Sequence, residues 1–172
     1  LDNIFTLTKA RIPWLIVGLL GGLLGAQIIG IFPIDENPIL AFFIPLIAAM
    51  GGNVGVQSSA IIVQGLASKN LGIENWSTRF MKELGVALIN GIICCGLVFA
   101  ICVMMYPQPN IPLIVSISLF TVMIFAALFG TFVPLFLDRY NIDPALATGP
   151  FITTMNDVIG LFIYFSIADF IL

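Results

Sequence analysis

The chain has 172 residues, of which 60% are hydrophobic and 9% are charged, and its formal net charge is −3. A soluble domain needs roughly 25–35% charged residues on its surface. The composition therefore excludes an ordinary soluble domain, a disordered segment and a nucleic-acid-binding protein. The sequence contains no histidine, so the commonest imidazole base and metal ligand is missing. We predict an integral membrane protein whose metal chemistry would depend on oxygen or sulfur ligands.

Five apolar runs are long enough to cross a hydrocarbon core of about 30 Å, which takes about 20 helical residues. They lie near residues 12–33, 38–66, 83–106, 111–137 and 144–172. The alternating pattern of a membrane β-barrel does not occur in the sequence. The predicted fold is therefore all-α, a bundle of five transmembrane helices per protomer.

All the lysine and arginine residues fall on one side of such a bundle, in the N-terminal segment and the 67–82 and 138–143 connections. The opposite connections, 34–37 and 106–110, contain none. Cytoplasmic loops are enriched in basic residues, so we expect the N-terminus inside and the C-terminus outside. Trp76 and Phe80, four positions apart, predict an interfacial helix within residues 67–82 on the cytoplasmic surface.

The second span is too polar for a helix that faces lipid on all sides. Amide side chains form one face and small residues form another: Asn53, Gln57 and Gln64 lie on the first, and Gly51, Gly55 and Ser59 on the second. Small residues at this spacing let another helix approach closely, and the amides favour a pore-lining role. The Gly51-Gly52 pair after Pro45 is also a candidate point at which the helix opens and frees backbone carbonyls.

Cysteines and two further acids accompany the third and fifth spans. Cys94, Cys95 and Cys102 lack C-x-x-C spacing, and we interpret them as residues packed inside a membrane helix. Glu83 opens the third span, and Asp143 precedes the fifth at Asp143-Pro144. Both acids suit capping or interfacial positions, and the alternative is a negative mouth that concentrates cations.

Asp157 lies about 13 residues into the fifth span, roughly 20 Å from its start at 1.5 Å per residue. An ionisable residue at that depth is a candidate functional site. One stripe of the helix, at about 100° per residue, is small and polar: Gly149, Thr153, Asn156, Asp157, Gly160 and Tyr164. This stripe predicts a helix that lines a hydrated path. The alternative is a protonated Asp157 that hydrogen-bonds a neighbouring helix.

The oxygen ligands of these two spans suit Mg²⁺ better than they suit soft metals. Mg²⁺ keeps several waters and takes only one or two carboxylates. A two-fold dimer, the commonest oligomer, would bring two copies of Asp157 together. The carbonyls of Thr153 and Gly149, or bound waters, would complete the shell.

Two motifs in register resemble the MgtE magnesium channels: GGNVGVQS from Gly51 to Ser58, and GPFITTMNDVIGL from Gly149 to Leu161. The resemblance covers essentially the whole chain. It implies a homodimeric Mg²⁺-selective channel whose ion path lies between protomers and is lined by the second and fifth helices. It also implies that Asp157 is the central ligand of a largely hydrated Mg²⁺, that the Thr153 carbonyl faces the same site, and that Asp143 lies at the cytoplasmic mouth.

The resemblance also suggests a domain division. Residues 1–11 resemble the end of the helix that joins the family's cytoplasmic regulatory region to its membrane domain, and residues 12–172 would form the pore domain. One position departs from the pattern, because some relatives have Asn where this chain has Gly149. The expected site residues are, as metal ligands, Asp157, Thr153 and Gly149; on the pore wall, Asn53, Gln57, Gln64, Asn156 and Gly160; and at the cytoplasmic mouth, Asp143 and Glu83.

We expect a transporter and not an enzyme, because aspartyl chemistry needs two paired carboxylates and no span carries a second deep acid. The main alternative is a proton-coupled secondary transporter of divalent cations, which would need an alternating-access fold, often with an inverted repeat. A non-conducting assembly subunit is a further alternative. The expected partners are a second copy of the chain, the lipid bilayer, and Mg²⁺ or other divalent cations, with no nucleic acid. The expected location is a bacterial or archaeal cell membrane, as a multi-pass protein.

Overall fold

The computed structural model describes residues 3–32, 37–68, 76–147 and 149–172. Regular structure within these ranges is entirely helical. The long helices are α1 (Ile4–Ile31), α2 (Ile44–Ala67), α3 (Trp76–Met105), α4 (Asn110–Arg139) and α5 (Pro150–Ile171), and 3₁₀ helices span Pro38–Phe43 and Pro144–Ala147. All the long helices are long and apolar enough to cross a membrane. The predicted all-α fold with five candidate spans is confirmed.

α4 is the central helix of the bundle. It packs against α2, α3 and α5, and residues such as Ile114, Val115 and Val122 are completely buried. The peripheral helices are α1, which packs on α5, and α3, which packs on α4. Their outer faces carry exposed leucine and isoleucine side chains. Such faces suit contact with lipid, which is as apolar as the side chains themselves.

Aromatic contacts hold one end of the bundle together. The ring of Phe32, just after α1, stacks on that of Phe165 in α5 with centroids 5.4 Å apart. The buried hydroxyl of Tyr164 donates a 2.8 Å hydrogen bond to the carbonyl of Leu40. This bond satisfies a polar group that would otherwise be costly to bury. It also ties α5 to the 3₁₀ helix that precedes α2.

Polar contacts hold the opposite end. Glu83 of α3 is 8% exposed, and its carboxylate lies 3.0 Å from the guanidinium of Arg79. The hydroxyl of Ser58 donates a 3.2 Å hydrogen bond to the same carboxylate. The guanidinium of Arg139 lies 5.8 Å from the ring centroid of Trp76, within the range of a cation–π interaction. These contacts join α2, α3 and α4.

Two helices differ from the sequence prediction near their starts. α3 begins at Trp76, so Trp76 and Phe80 belong to its first turns and not to a separate interfacial helix, which was a wrong prediction for residues 76–82. Residues 69–75 of that connection lie outside the described residues, and so do residues 33–36, which include most of the 34–37 connection. α1 begins at Ile4, so residues 4–11 continue directly into the first span.

α2 runs without interruption through Gly51 and Gly52, so the prediction that this pair opens the helix was wrong. Both glycines are buried against neighbouring helices, and this packing offsets the intrinsic preference of glycine for non-helical backbone. Gly51 and Gly52 therefore serve to let the neighbouring helices approach α2 closely.

α5 begins at Pro150 and not near residue 144. Gly149 has a φ of 87°, a conformation that side chains other than glycine rarely adopt, and Pro150 then occupies a first-turn position that suits its fixed φ. The preceding 3₁₀ helix has its own cap, because the carboxylate of Asp143 accepts a 2.9 Å hydrogen bond from the backbone N–H of Ala145. Asp143 is a cap, as predicted, but of the 3₁₀ helix.

Candidate functional site

Asp157 is half-buried in α5 between two neighbouring helices. Toward α2, its Oδ1 lies 3.8 Å from the position that a Cβ atom would take on Gly52. Toward α1, the residue borders a cavity of about 310 Å³. Within the described part of the chain, no side chain or backbone group forms a salt bridge or hydrogen bond with this carboxylate. Asp157 is thus a half-buried carboxylate without a protein partner among the described residues.

The cavity beside Asp157 is walled on the α1 side by glycines. Its lining includes Gly18, Gly21, Gly22 and Gly25 of α1, with Thr154 and Asp157 of α5. The other residues that line it are apolar: Ala26, Ile29, Ala48, Val158 and Leu161. Sequence reasoning assigned no role to these glycines. The signal was present, because Gly18–Gly22 and Gly21–Gly25 both have the four-residue spacing of close helix contacts.

The predicted ligand Thr153 lies one turn before Asp157 on α5, and the predicted ligand Gly149 directly precedes the first residue of that helix. The Thr153 methyl group is 3.4 Å from the Cβ position of Gly52, so Thr153 and Asp157 meet the same residue of α2. The Gly149 carbonyl accepts a 3.0 Å hydrogen bond from the Thr153 N–H. By the same helical pattern the Thr153 carbonyl faces the N–H of Asp157. Each carbonyl would therefore offer an ion its second lone pair.

The predicted polar stripe of α5 is divided between two environments. Thr153 and Asp157 are half-buried, whereas Asn156 is 1% exposed and Gly160 is also buried. Asn156 contacts Gly55 of α2, and Gly160 approaches α4. Neighbouring helical positions point about 100° apart, so residues one position apart meet different partners. Asn156 and Gly160, expected on the pore wall, therefore face helices of their own chain and not a free surface.

α2, α4 and α5 meet most closely at Gly55. The amide nitrogen of Asn156 would overlap a Cβ atom on residue 55, and the carbonyl oxygen of Gly55 would overlap a Cβ atom on residue 130. A side chain at residue 130 would overlap the backbone of α2, and a side chain at residue 55 would overlap the side chain of Asn156. The small-residue face predicted on α2 is confirmed, because Gly51, Gly55 and Ser59 are all buried.

The amide face of α2 is exposed. Asn53, Gln57 and Gln64 all lie on the outside of the single chain. Within a membrane, a polar side chain on the surface of a spanning helix favours contact with protein or water over lipid. This face is therefore unsuited to the lipid environment that the outer faces of α1 and α3 suit.

The two acids predicted at the mouth have different environments. Asp143 is exposed, and one of its oxygens caps the 3₁₀ helix. Glu83 is buried, and Arg79 compensates its charge, so in this arrangement Glu83 adds no free negative charge to a mouth. Among the described residues, no group of three or more cysteine and acidic side chains could hold a metal ion. A metal at Asp157 would need waters or a second chain to complete its shell.

Comparison with known proteins gives a consistent family. The model of the MgtE family, described as divalent cation transporter, matches residues 44–167. The magnesium transporter MgtE of Bacillus subtilis is 34% identical over 160 residues, which is 92% of this chain and 36% of that protein. The magnesium transporter MgtE of Thermus thermophilus is 35% identical over 167 residues, 95% of this chain and 36% of that protein. The chain thus spans little more than a third of the length of these curated relatives.

Proposed function

The chain belongs to the MgtE family of divalent cation transporters, and from that premise we propose that it conducts Mg²⁺ across the cell membrane as a homodimeric channel. Asp157 of both protomers would hold a largely hydrated ion at the centre of the path. The relatives are magnesium transporters by name, and a hydrated Mg²⁺ is the cargo that best fits one carboxylate per chain.

The observation that carries this proposal is the free carboxylate of Asp157. It lies within a spanning helix, has no partner among the described residues, and borders a cavity beside α1. A charge buried without compensation is costly, and a divalent cation with its waters would compensate it. Because the ion keeps much of its hydration shell, a single Asp from each side is enough to hold it.

The exposed amide face of α2 supports the proposed dimer. Asn53, Gln57 and Gln64 would line the path once a second protomer faces them, with Asp157 and Thr153 beside them on α5. Two carboxylates would balance the charge of one Mg²⁺, which one chain alone does not do. Asn156 and Gly160 would lie behind this wall, because they are packed inside the protomer.

The basic residues support a cytoplasmic location for the end of the bundle that holds Arg79 and Arg139. In that orientation the exposed Asp143 would lie at the inner mouth. A negative side chain at a channel mouth raises the local concentration of cations. Glu83 would contribute there only if its ion pair with Arg79 opened.

The test is Mg²⁺ flux into liposomes that contain the purified chain and an Mg²⁺-sensitive dye, without a proton gradient. We expect flux with wild type, none with Asp157→Asn, and wild-type flux with Asp169→Asn, a matched control at an exposed acid near the end of α5. Wild-type flux from Asp157→Asn would contradict the assigned site. Flux that appears only with an imposed pH gradient would indicate a proton-coupled transporter and not a channel.

A further inference from the structure

We propose that Asn156 is a positioning residue, whose side chain occupies the space left by Gly55 and thereby fixes the rotation of α5 that presents Asp157 to the ion path. This proposal rests on the proposed function of Asp157. It assigns Asn156 a role inside the protomer and not on the pore wall.

The first step is the fit between Asn156 and Gly55. The Asn156 amide nitrogen would overlap a Cβ atom on Gly55, and Ile152, one turn earlier on α5, lies 3.0 Å from the position of that atom. The Asn156 carbonyl is also 3.7 Å from the Cβ position of Gly51. α5 therefore meets α2 at two successive small residues, and a rotation of α5 would drive the Asn156 side chain into the α2 backbone.

The second step is that the pocket around Gly55 is itself rigid. The carbonyl of Gly55 lies against Gly130 of α4, where a Cβ atom would otherwise be. Val122 of α4 closes the neighbouring turn, 3.0 Å from the Cβ position of Gly51. Because α4 packs directly against α2, α2 has no space in which to move away from α5. The Asn156 side chain is thus enclosed by two helices whose backbones are in contact.

The third step connects this contact to Asp157. Asn156 and Asp157 are adjacent in α5, so their side chains point about 100° apart around the helix axis. The direction of the Asn156 side chain therefore fixes that of the Asp157 side chain. While the Asn156 side chain occupies the space left by Gly55, Asp157 faces Gly52 and the cavity. Packed interfaces of this kind have discrete arrangements and do not deform continuously. Loss of the Asn156 side chain would therefore free α5 to turn and would disorder the carboxylate.

Substitution of Asn156 tests packing alone, because its side-chain amide makes no hydrogen bond to the described residues. Neither the nitrogen nor the oxygen of the Asn156 side chain has a hydrogen-bond partner among the described residues. Asn156→Ala consequently removes packing without removing a hydrogen bond to the protein. An effect of this substitution on Mg²⁺ would therefore report the position of α5 and not the loss of a polar contact.

The experiment measures the Mg²⁺ concentration at half-maximal flux in liposomes for single and paired substitutions. We expect about a tenfold increase for Asn156→Ala, by analogy with residues that orient metal ligands, and at least as large an increase for Gly55→Ala, whose new methyl group overlaps the amide. In the double variant Gly55→Ala/Asn156→Ala the methyl group takes the vacated space, so its half-maximal concentration should return toward that of wild type. Gly96→Ala is the matched control, because no atom lies within 4 Å of its Cβ position.

The outcomes separate this proposal from the function on which it rests. Wild-type flux with unchanged half-maximal concentrations in both single variants would overturn the positioning role and leave the transport function standing. A double variant that is worse than Gly55→Ala would also overturn it, because the two changes would then not compensate. If Gly55→Ala fails to assemble, Asn156→Ala alone decides. Wild type with neither Mg²⁺ flux nor an Mg²⁺-dependent increase in Tm would overturn the proposed function and this inference together.

Discussion

Asp157 and Gly52 face each other across the contact between α5 and α2, with the carboxylate Oδ1 3.8 Å from the position of a Cβ atom on Gly52. The Thr153 methyl group lies 3.4 Å from the same position. Both distances are ordinary van der Waals separations, so a methyl group fits at residue 52. A larger side chain has only the space beside the carboxylate to occupy. If an ion passes beside Asp157, as proposed, the size of residue 52 would control the room that it has.

A graded series at Gly52 tests this relationship. We expect Gly52→Ala to conduct Mg²⁺ at close to the wild-type rate, and Gly52→Leu to lose most of its flux because its branched side chain fills the space beside Asp157. The measurement is the dye-based liposome flux. Gly96→Leu is the control for a leucine in a spanning helix, since its position is open. Full flux through the Gly52→Leu variant would show that the ion does not pass beside this carboxylate.

Cross-linking tests the proposed interface on α2. In a background where Cys94, Cys95 and Cys102 are replaced by alanine, we expect Gln57→Cys to form a covalent dimer in membranes with a thiol-reactive cross-linker. The physical reason is that an exposed amide face at this depth favours protein contact. Ile93→Cys, on an exposed position of α3, should remain monomeric. The opposite pattern would place the dimer interface on α3.

The buried ion pair of Arg79 and Glu83 gives a stability prediction. Glu83→Ala leaves the Arg79 guanidinium, 18% exposed, without its carboxylate, and we expect a loss of about 1–3 kcal/mol in the free energy of unfolding. The double variant Arg79→Ala/Glu83→Ala should lose less than the sum of the two single variants, because the groups are coupled. Thermal unfolding in detergent provides the measurement. Asp138→Ala, at an exposed acid, is the control, and strict additivity would show that the pair is not coupled.

Two adjacent glycines of α1 should respond in opposite ways to alanine. A Cβ atom on Gly21 would overlap the Thr154 methyl group, whereas one on Gly22 would meet no atom within 4 Å. We expect Gly21→Ala to destabilise the α1–α5 contact by about 1–3 kcal/mol through overpacking. Gly22→Ala should be neutral or slightly stabilising, because alanine favours a helix over glycine. Equal Tm values for the two variants would mean that α1 does not pack on α5 as described.

The residues that sequence reasoning placed correctly are those whose position depends on local properties. Each spanning helix satisfies its own backbone hydrogen bonds in lipid, so a long apolar run is sufficient to predict it. The same holds for the cap formed by Asp143 and the small-residue face of α2 around Gly55. The predicted distance of Asp157 from the start of its helix was too long, because α5 begins at Pro150. The start of α5 was misplaced because Asp143-Pro144 and Gly149-Pro150 both carry signals for a helix start, and only the second begins the long helix.

The sequence by itself determined that this is an all-helical membrane protein with a carboxylate within its fifth apolar run, because hydropathy and helix length act residue by residue along the chain. The tertiary structure decided which neighbour each helix face meets. A helical wheel grouped Asn156 with Asp157, but packing separates them. The Asn156 side chain fits the space left by Gly55, whereas Asp157 borders the cavity beside α1. The glycine wall of α1 and the pairing of Glu83 with Arg79 and Ser58 likewise depend on contacts between residues far apart in sequence, which no local pattern specifies.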